Sequence, residues 1–169
     1  MLTRTLPMVV MVAACALSTT AQRAHGQTAR TIRYTKSSFG PNITRSVLTV
    51  PDTASHSLIQ AFRIDTGHSD SPDFDVVEER VWMQGEARGA RLSFAGYTVF
   101  ILRTGEQVSL RWTADPTPTG TRIDGEPARE SGTAIIIGGT GRFAGIRGRA
   151  TYRSYAKGPV LEETLLDIQ

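Results

Sequence analysis

Residues 135–152 read IIIGGTGRFAGIRGRATY and form the most conspicuous string of the chain. Gly139-Thr140-Gly141 begins a match to the pattern GxGxxA after an apolar run, which in other proteins marks a dinucleotide site. Such a site requires a helix that begins at the glycines and holds the pyrophosphate with its N-terminal amides. Gly145 and Gly148 would interrupt that helix, and no Lys-Ser/Thr pair follows the glycines as a P-loop requires. The stretch therefore predicts no nucleotide site.

The same glycines have a structural interpretation. We expect Gly138, Gly139 and Gly141 to supply positive φ angles for a tight, bulged connection between two strands. Gly145 and Gly148 are expected to allow a close backbone approach or a sharp bend at the corner of a barrel.

Alternation with a period of two dominates the sequence outside this string. The turn Thr104-Gly105 separates two such runs, and the second places Val108, Leu110 and Trp112 on one face. No long stretch repeats apolar residues at the spacing of an amphipathic helix, so the chain reads as all-β. The predicted strands are 31–36, 57–65, 77–88, 91–103, 106–114, 131–138, 146–155 and 160–168. Eight strands favour a closed antiparallel β-barrel, with a β-sandwich as the alternative.

The string at 138–148 also resembles a family signature, GGTG or GGSG followed by x-F-x-G-x-x-G. This signature belongs to the allene oxide cyclase barrel, the fold of plant allene oxide cyclases, dirigent proteins and many small secreted bacterial proteins. The matching residues are Gly138, Gly139, Gly141, Phe143, Gly145 and Gly148. The resemblance implies an eight-stranded antiparallel barrel and, if the protein is an enzyme, a cyclase or isomerase. The sequence Arg63-Ile64-Asp65 departs from the Glu-Ile-Asn of the cyclases, so no catalytic residue is carried over.

Residues 1–26 predict a secretory signal peptide. Arg4 precedes a short apolar run, and small residues follow at Ala21 and Gly26, where cleavage is expected. The run is too short to span a bilayer. We therefore expect an exported protein, periplasmic or secreted, with acylation of Cys15 as a lipoprotein anchor the less favoured alternative. The remaining chain divides into an N-terminal segment, 27–56, with a probable first strand, and the rest of the barrel domain, 57–169.

Composition limits the partners. The chain of 169 residues carries 19 Lys and Arg against 16 Asp and Glu, and two of the basic residues, Arg4 and Arg23, belong to the predicted leader. This near balance argues against a nucleic-acid partner. The three histidines, His25, His56 and His68, are too far apart in sequence to indicate a metal site, and we expect no cofactor. The sequence leaves open whether the protein forms a homo-oligomer.

The predicted barrel interior offers candidate ligand contacts. The aromatic candidates are Phe62, Trp112 and Tyr152, and the polar candidates are Gln60, Asp65 and Glu79. Adjacent glutamates, such as Glu78 and Glu79, fall on opposite strand faces, so at most one of each pair looks inward. The sequence favours an exported barrel that binds a small apolar or aromatic molecule. The alternatives are an enzyme that steers a cyclisation or coupling in an apolar cavity, and a structural or interaction protein with a filled barrel; the catalytic residues are unknown.

Overall fold

The structure is a computed structural model that describes residues 29–53, 55–89, 91–116, 122–123, 126–155 and 158–169. The predicted leader, 1–26, and its Cys15 lie outside the described residues. Among the described residues, no helix combines the length and the hydropathy that crossing a membrane as a helix requires.

Eleven strands and two short 3-10 turns make up the described chain. The strands are β1 (Arg30–Lys36), β2 (Asn42–Thr49), β3 (His56–Asp65), β4 (His68–Ser69), β5 (Val76–Arg88), β6 (Arg91–Leu102), β7 (Gln107–Pro116), β8 (Arg122–Ile123), β9 (Glu126–Gly139), β10 (Gly148–Tyr155) and β11 (Glu162–Ile168). The 3-10 turns are Pro72–Phe74 and Gly141–Phe143.

All described strand pairs are antiparallel, in the order β2-β3-β5-β6-β7-β9-β10-β11-β1-β4, with β8 paired to β9 off this path. The sheet curls into a barrel because β4 follows β3 after two residues and pairs with β1 at the far end of the order. Tyr34 lies opposite Ser69, and Thr35 lies opposite His68. At Gly40 the backbone passes so close to β3 that a Cβ would lie within 1.8 Å of the Ile64 carbonyl oxygen. The antiparallel all-β barrel predicted from the sequence is confirmed.

The predicted count of eight strands is wrong, because three further strands are present. The eight predicted segments correspond to β1, β3, β5, β6, β7, β9, β10 and β11. The largest addition is β2, which falls in the N-terminal segment 27–56, where the sequence predicts only one strand. All eight of its residues are exposed, so burial imposes no alternation that the sequence would record.

The glycine string forms a bulged strand end and a 3-10 turn rather than a helix, as expected. Gly141 and Gly145 have φ angles of 58° and 80°. The predicted positive φ is wrong for Gly138 and Gly139, which lie in β9 without one. Gly139 is instead constrained by contact, since a Cβ there would lie 2.7 Å from the carbonyl oxygen of Phe143.

The apolar core fills one end of the barrel. It is closed by the two 3-10 turns, where Phe74 and Phe143 meet edge to face with ring centroids 5.8 Å apart. Both rings are buried, and Phe100 packs on Phe74 from β6. The alternation predicted for β10 is present, because Ala150 is buried while Arg149 is exposed. Phe100, Leu110 and Ala134 of this core also border the part of the interior that stays open.

Candidate functional site

A cavity of about 90 Å³ lies in the barrel interior beyond the core. Apolar and aromatic side chains form most of its wall, and ionisable side chains lie at one end. The apolar lining residues are Phe39, Val81, Met83, Phe94, Phe100, Leu110, Trp112 and Ala134. The polar and ionisable ones are Lys36, Arg63, Glu79, Thr98, Glu130, Tyr152, Glu162 and Thr164.

Lys36 organises the charged end of the cavity. Its Nζ lies 2.5 Å from Oε1 of Glu162, 3.1 Å from Oε2 of Glu79 and 3.3 Å from Oδ2 of Asp65. The lysine side chain is 1% exposed, and the three carboxylates come from three different strands. An ammonium group has three donors, so one carboxylate can accept each of them.

Strand register explains how distant residues converge here. On β1 the buried residues alternate as Ile32, Tyr34 and Lys36, so the lysine follows the core positions onto the inner face. Lys36 lies directly opposite Glu162 of β11, and Asp65 of β3 lies opposite Glu79 of β5. The curl of the sheet then brings these two pairs together across the interior.

A second cation joins the cluster from β3. The Nε of Arg63 donates a hydrogen bond of 2.8 Å to Oδ2 of Asp65, and the backbone N–H of Gly40 donates one of 2.9 Å to Oδ1. The Arg63 guanidinium also lies over the ring of Phe39, 4.7 Å from its centroid. Phe39 thereby covers the charged end of the cavity.

The charges of this cluster do not cancel. Lys36 and Arg63 supply two positive charges against the three carboxylates of Asp65, Glu79 and Glu162. Burial, together with the like charges of Glu162 and Asp65, raises the pKa of Glu79 to about 7, although Lys36 opposes the shift. Glu79 is therefore partly protonated at neutral pH.

The neighbouring groups keep a fixed charge at neutral pH. Burial alone would lower the pKa of Lys36, but the carboxylates of Glu79, Glu162 and Asp65 raise it above its ordinary value. Burial and the nearby Glu79 raise the pKa of the Tyr34 hydroxyl, which stays protonated. Of the groups whose pKa is shifted here, Glu79 is the one that changes its charge near neutral pH.

Two aromatic rings form the other side of the cavity. Trp112 and Tyr152 meet edge to face with centroids 6.0 Å apart. Each ring lies across a glycine on the neighbouring strand. A Cβ at Gly96 would lie 2.6 Å from the Trp112 ring, and one at Gly132 would lie 2.4 Å from the Tyr152 ring. These glycines let the rings lie against the wall and leave the centre open.

The structure brings four of the six predicted lumen residues into the interior. Asp65 and Glu79 belong to the charged cluster, and Trp112 and Tyr152 line the aromatic side. Gln60 and Phe62 lie on the outer face of β3 instead. The reason is parity: residues 60 and 62 cannot share a strand face with residue 65.

Sequence reasoning missed Lys36, Arg63 and Glu162. The signal was present for two of them, since Lys36 continues the alternation of Ile32 and Tyr34, and Glu162 begins an alternation that ends at Ile168. A charged residue at an inward position was not expected because its burial is costly without partners. Those partners lie on distant strands.

A second ion-pair cluster, centred on the buried His56, lies away from the residues that line this cavity. Glu78 pairs with Arg80 and Glu163 with Arg33 on the outer surface, so one carboxylate of each adjacent pair lies inside, within the expected limit of one per pair. Among the described residues, no group of three or more His, Cys, Asp or Glu side chains is placed to hold a metal ion.

Comparison with known proteins finds a likeness to solved structures. No family model and no curated protein sequence matches the chain. Among solved structures, the chain is similar to a pterocarpan synthase dirigent protein, with 16% sequence identity and a TM-score of 0.43 over 83% of this chain and 86% of that one. Dirigent proteins are among the families that the 138–148 string resembles.

Proposed function

We propose that the protein binds a small aromatic molecule in its barrel interior. The observation that carries this proposal is the cavity of about 90 Å³ with an aromatic wall and a charged end. Ligand sites in proteins typically combine mostly apolar walls with a few polar groups that fix orientation. A filled structural barrel has no need for a desolvated lysine and three carboxylates beside open space, because burying such groups is costly.

The size of the cavity limits the ligand. Drug-sized ligands occupy pockets of roughly 300 Å³ or more, whereas an engineered apolar cavity of about 150 Å³ holds benzene. The cavity of about 90 Å³ is smaller than both, so it limits the enclosed part of a ligand to a single ring at most.

The charges select the chemistry of the ligand. The three carboxylates around Lys36 and Arg63, with Glu79 partly protonated, leave no excess positive charge to bind an anionic ligand. A phenol or similar hydroxyl compound would instead donate a hydrogen bond to Glu79 or Glu162. The proposed ligand is thus a neutral, hydroxyl-bearing aromatic ring.

Intrinsic fluorescence can test this directly. The chain has two tryptophans, so Trp82→Phe leaves Trp112 as a single reporter on the cavity wall. We expect phenol to change the emission of Trp112 saturably. Benzoate, whose ring has the same size as that of phenol, should bind at least about tenfold more weakly. Absence of saturable binding by any neutral aromatic probe would contradict the proposal and favour the filled barrel.

A cavity-filling pair of variants provides the control. Ala134→Phe places a ring in the cavity and should abolish phenol binding, whereas Ala144→Phe adds the same ring at an exposed loop position and should not. Equal binding by both variants, with the fold intact by circular dichroism, would show that the ligand lies elsewhere.

Glu79 supports a second candidate function, an enzyme that steers a cyclisation or isomerisation. It faces the cavity, and its pKa of about 7 lets it give or take a proton at neutral pH. The test is native mass spectrometry of protein from its own host, followed by return of any retained molecule to fresh protein. An enzyme would change the mass or the chromatographic retention of that molecule, and Glu79→Gln would bind it without changing it.

We further propose that the protein is exported. The basic start, apolar run and small residues of 1–26 support this. N-terminal sequencing of protein from the periplasm or medium should find a start near Gln22 or Gln27. An intact Met1 would contradict export by cleavage, and an acylated Cys15 would identify a lipoprotein.

A further inference from the structure

The outer face of the barrel carries a row of aromatic side chains that the fold does not need. Phe62, Trp82 and Tyr97 lie directly opposite one another on β3, β5 and β6. Phe62 and Trp82 stack with centroids 4.8 Å apart, and Trp82 and Tyr97 are 43% and 49% exposed. Adjacent exposed aromatic rings on a sheet face usually mark a binding surface.

On the following strands the row continues with residues that include two arginines. Arg111 of β7 follows Tyr97, and Ile135 and Arg149 follow in turn on β9 and β10. Neither arginine forms an ion pair or a side-chain hydrogen bond within the described part of the chain, in contrast to Arg80 and Arg103, which do. Both guanidinium groups are exposed and have their donors available.

A parallel row of polar side chains runs beside the aromatic one. It consists of Ser46, Gln60, Gln84, Ala95, Thr113, Thr133 and Thr151. Neither row contains a carboxylate as far as β10, and the next residue in register on β11 is Asp167, which accepts a hydrogen bond from Thr31. We call the two rows together the outer platform; an open groove of about 750 Å³ covers its part from β2 to β7.

We propose that the outer platform binds an extended acidic polysaccharide. Sugar rings present C–H faces that pack on exposed aromatic rings, and their hydroxyls pair with the amides and hydroxyls of the polar row. The carboxylate of a uronic acid matches the fork of an arginine such as Arg111. From β2 to β7 the platform crosses four strand gaps, roughly 19 Å, so the surface fits a chain rather than a single ring.

Two other occupants fit less well. A second copy of this chain, docked through the same face, would bury Arg111, and the platform offers no acid to pair with it. Single-stranded nucleic acid stacks on aromatic rings too, but its backbone needs a continuous basic track. The platform offers two separated arginines and mainly neutral amides and hydroxyls.

The test is isothermal titration of the protein with a hexameric oligogalacturonate and with neutral cellohexaose. We expect saturable binding of the acidic oligomer and about tenfold weaker binding of the neutral one. Trp82→Ala should weaken binding of both oligomers about fivefold or more. Arg111→Gln should reduce the acidic oligomer to the level of the neutral one.

Matched variants away from the platform show whether the effects are local. Arg91→Gln removes another exposed arginine that has no ion pair with any described residue, and Val77→Ala trims another exposed apolar residue. Both should leave the affinity within about twofold of the unchanged protein. No saturable binding of either oligomer would overturn the proposal, as would tighter binding of an oligothymidylate of similar length. A stable oligomer in solution that Trp82→Ala converts to a monomer would overturn it in favour of a second copy.

Discussion

Replacing Glu79 with glutamine should make the protein more stable at alkaline pH, although it removes one partner of a buried ion pair. Three carboxylates share two cations at this site, and burial together with the other carboxylates already raises the pKa of Glu79 to about 7 from an ordinary 4.5. Because the folded state holds this proton more tightly than the unfolded state, the favourable contribution is complete below pH 4.5 and is lost as the pH rises through 7.

The magnitude follows from the same two pKa values. A difference of about 2.5 between 4.5 and 7 corresponds to about 3 kcal/mol of free energy of unfolding lost by the wild type above pH 7. Glutamine mimics the protonated acid and does not ionise, so it avoids this loss. Its amide donors beside Lys36 offset part of the gain, which leaves an expected increase of about 1–3 kcal/mol at pH 8.

Urea unfolding of wild type and Glu79→Gln between pH 4.5 and 8.5 measures the effect. The free energy of unfolding of Glu79→Gln should equal or lie slightly below that of wild type at pH 4.5, and the difference should grow in favour of the variant between pH 4.5 and 7 and level off above pH 7. Glu78→Gln, next in sequence but on the outer face with Arg80, is the control and should show no such growth. A flat difference curve, or a Glu79→Gln protein less stable than wild type at pH 8, would refute the charge count of the cluster.

The remaining predictions concern the same cluster and the turns. Lys36→Met should lower the free energy of unfolding by about 3–5 kcal/mol at pH 7, since it leaves buried carboxylates without their cation; adding Glu79→Gln should recover part of this loss in the same urea assay. Gly141→Ala should cost about 1 kcal/mol or more because φ is 58° there, while Gly138→Ala, with ordinary φ and open space around a Cβ, should have little effect on the melting temperature. The hydrogen bond from Arg30 lowers the pKa of Asp73 to about 2. The ionised Asp73 therefore adds a small stabilisation, under about 1 kcal/mol at this partly exposed site, which should disappear as the pH falls from 4 to 2. Asp73→Asn should remove this part of the pH dependence of the free energy of unfolding.

Local patterns were enough to predict the main strands and which way most of them face. Val108, Leu110 and Trp112 point inward as their alternation indicates, and the turn at Gly105 has the positive φ of 85° that glycine permits. These features depend on neighbours within a few residues. The same holds for the rejection of a helix after Gly139, since Gly145 and Gly148 are visible in the sequence.

The candidate site needed the tertiary structure. Alternation alone places Lys36 on the inner face of its strand, but it does not say that Asp65, Glu79 and Glu162 meet it there, because they lie 29, 43 and 126 positions away. The outward position of Phe62 has the same cause. Both faces of β3 carry apolar residues, and only the pairing with β5 decides which face is buried. A strand's period of two is written in the sequence, whereas the partners of a buried charge depend on how far the sheet curls and on which strands meet across the interior.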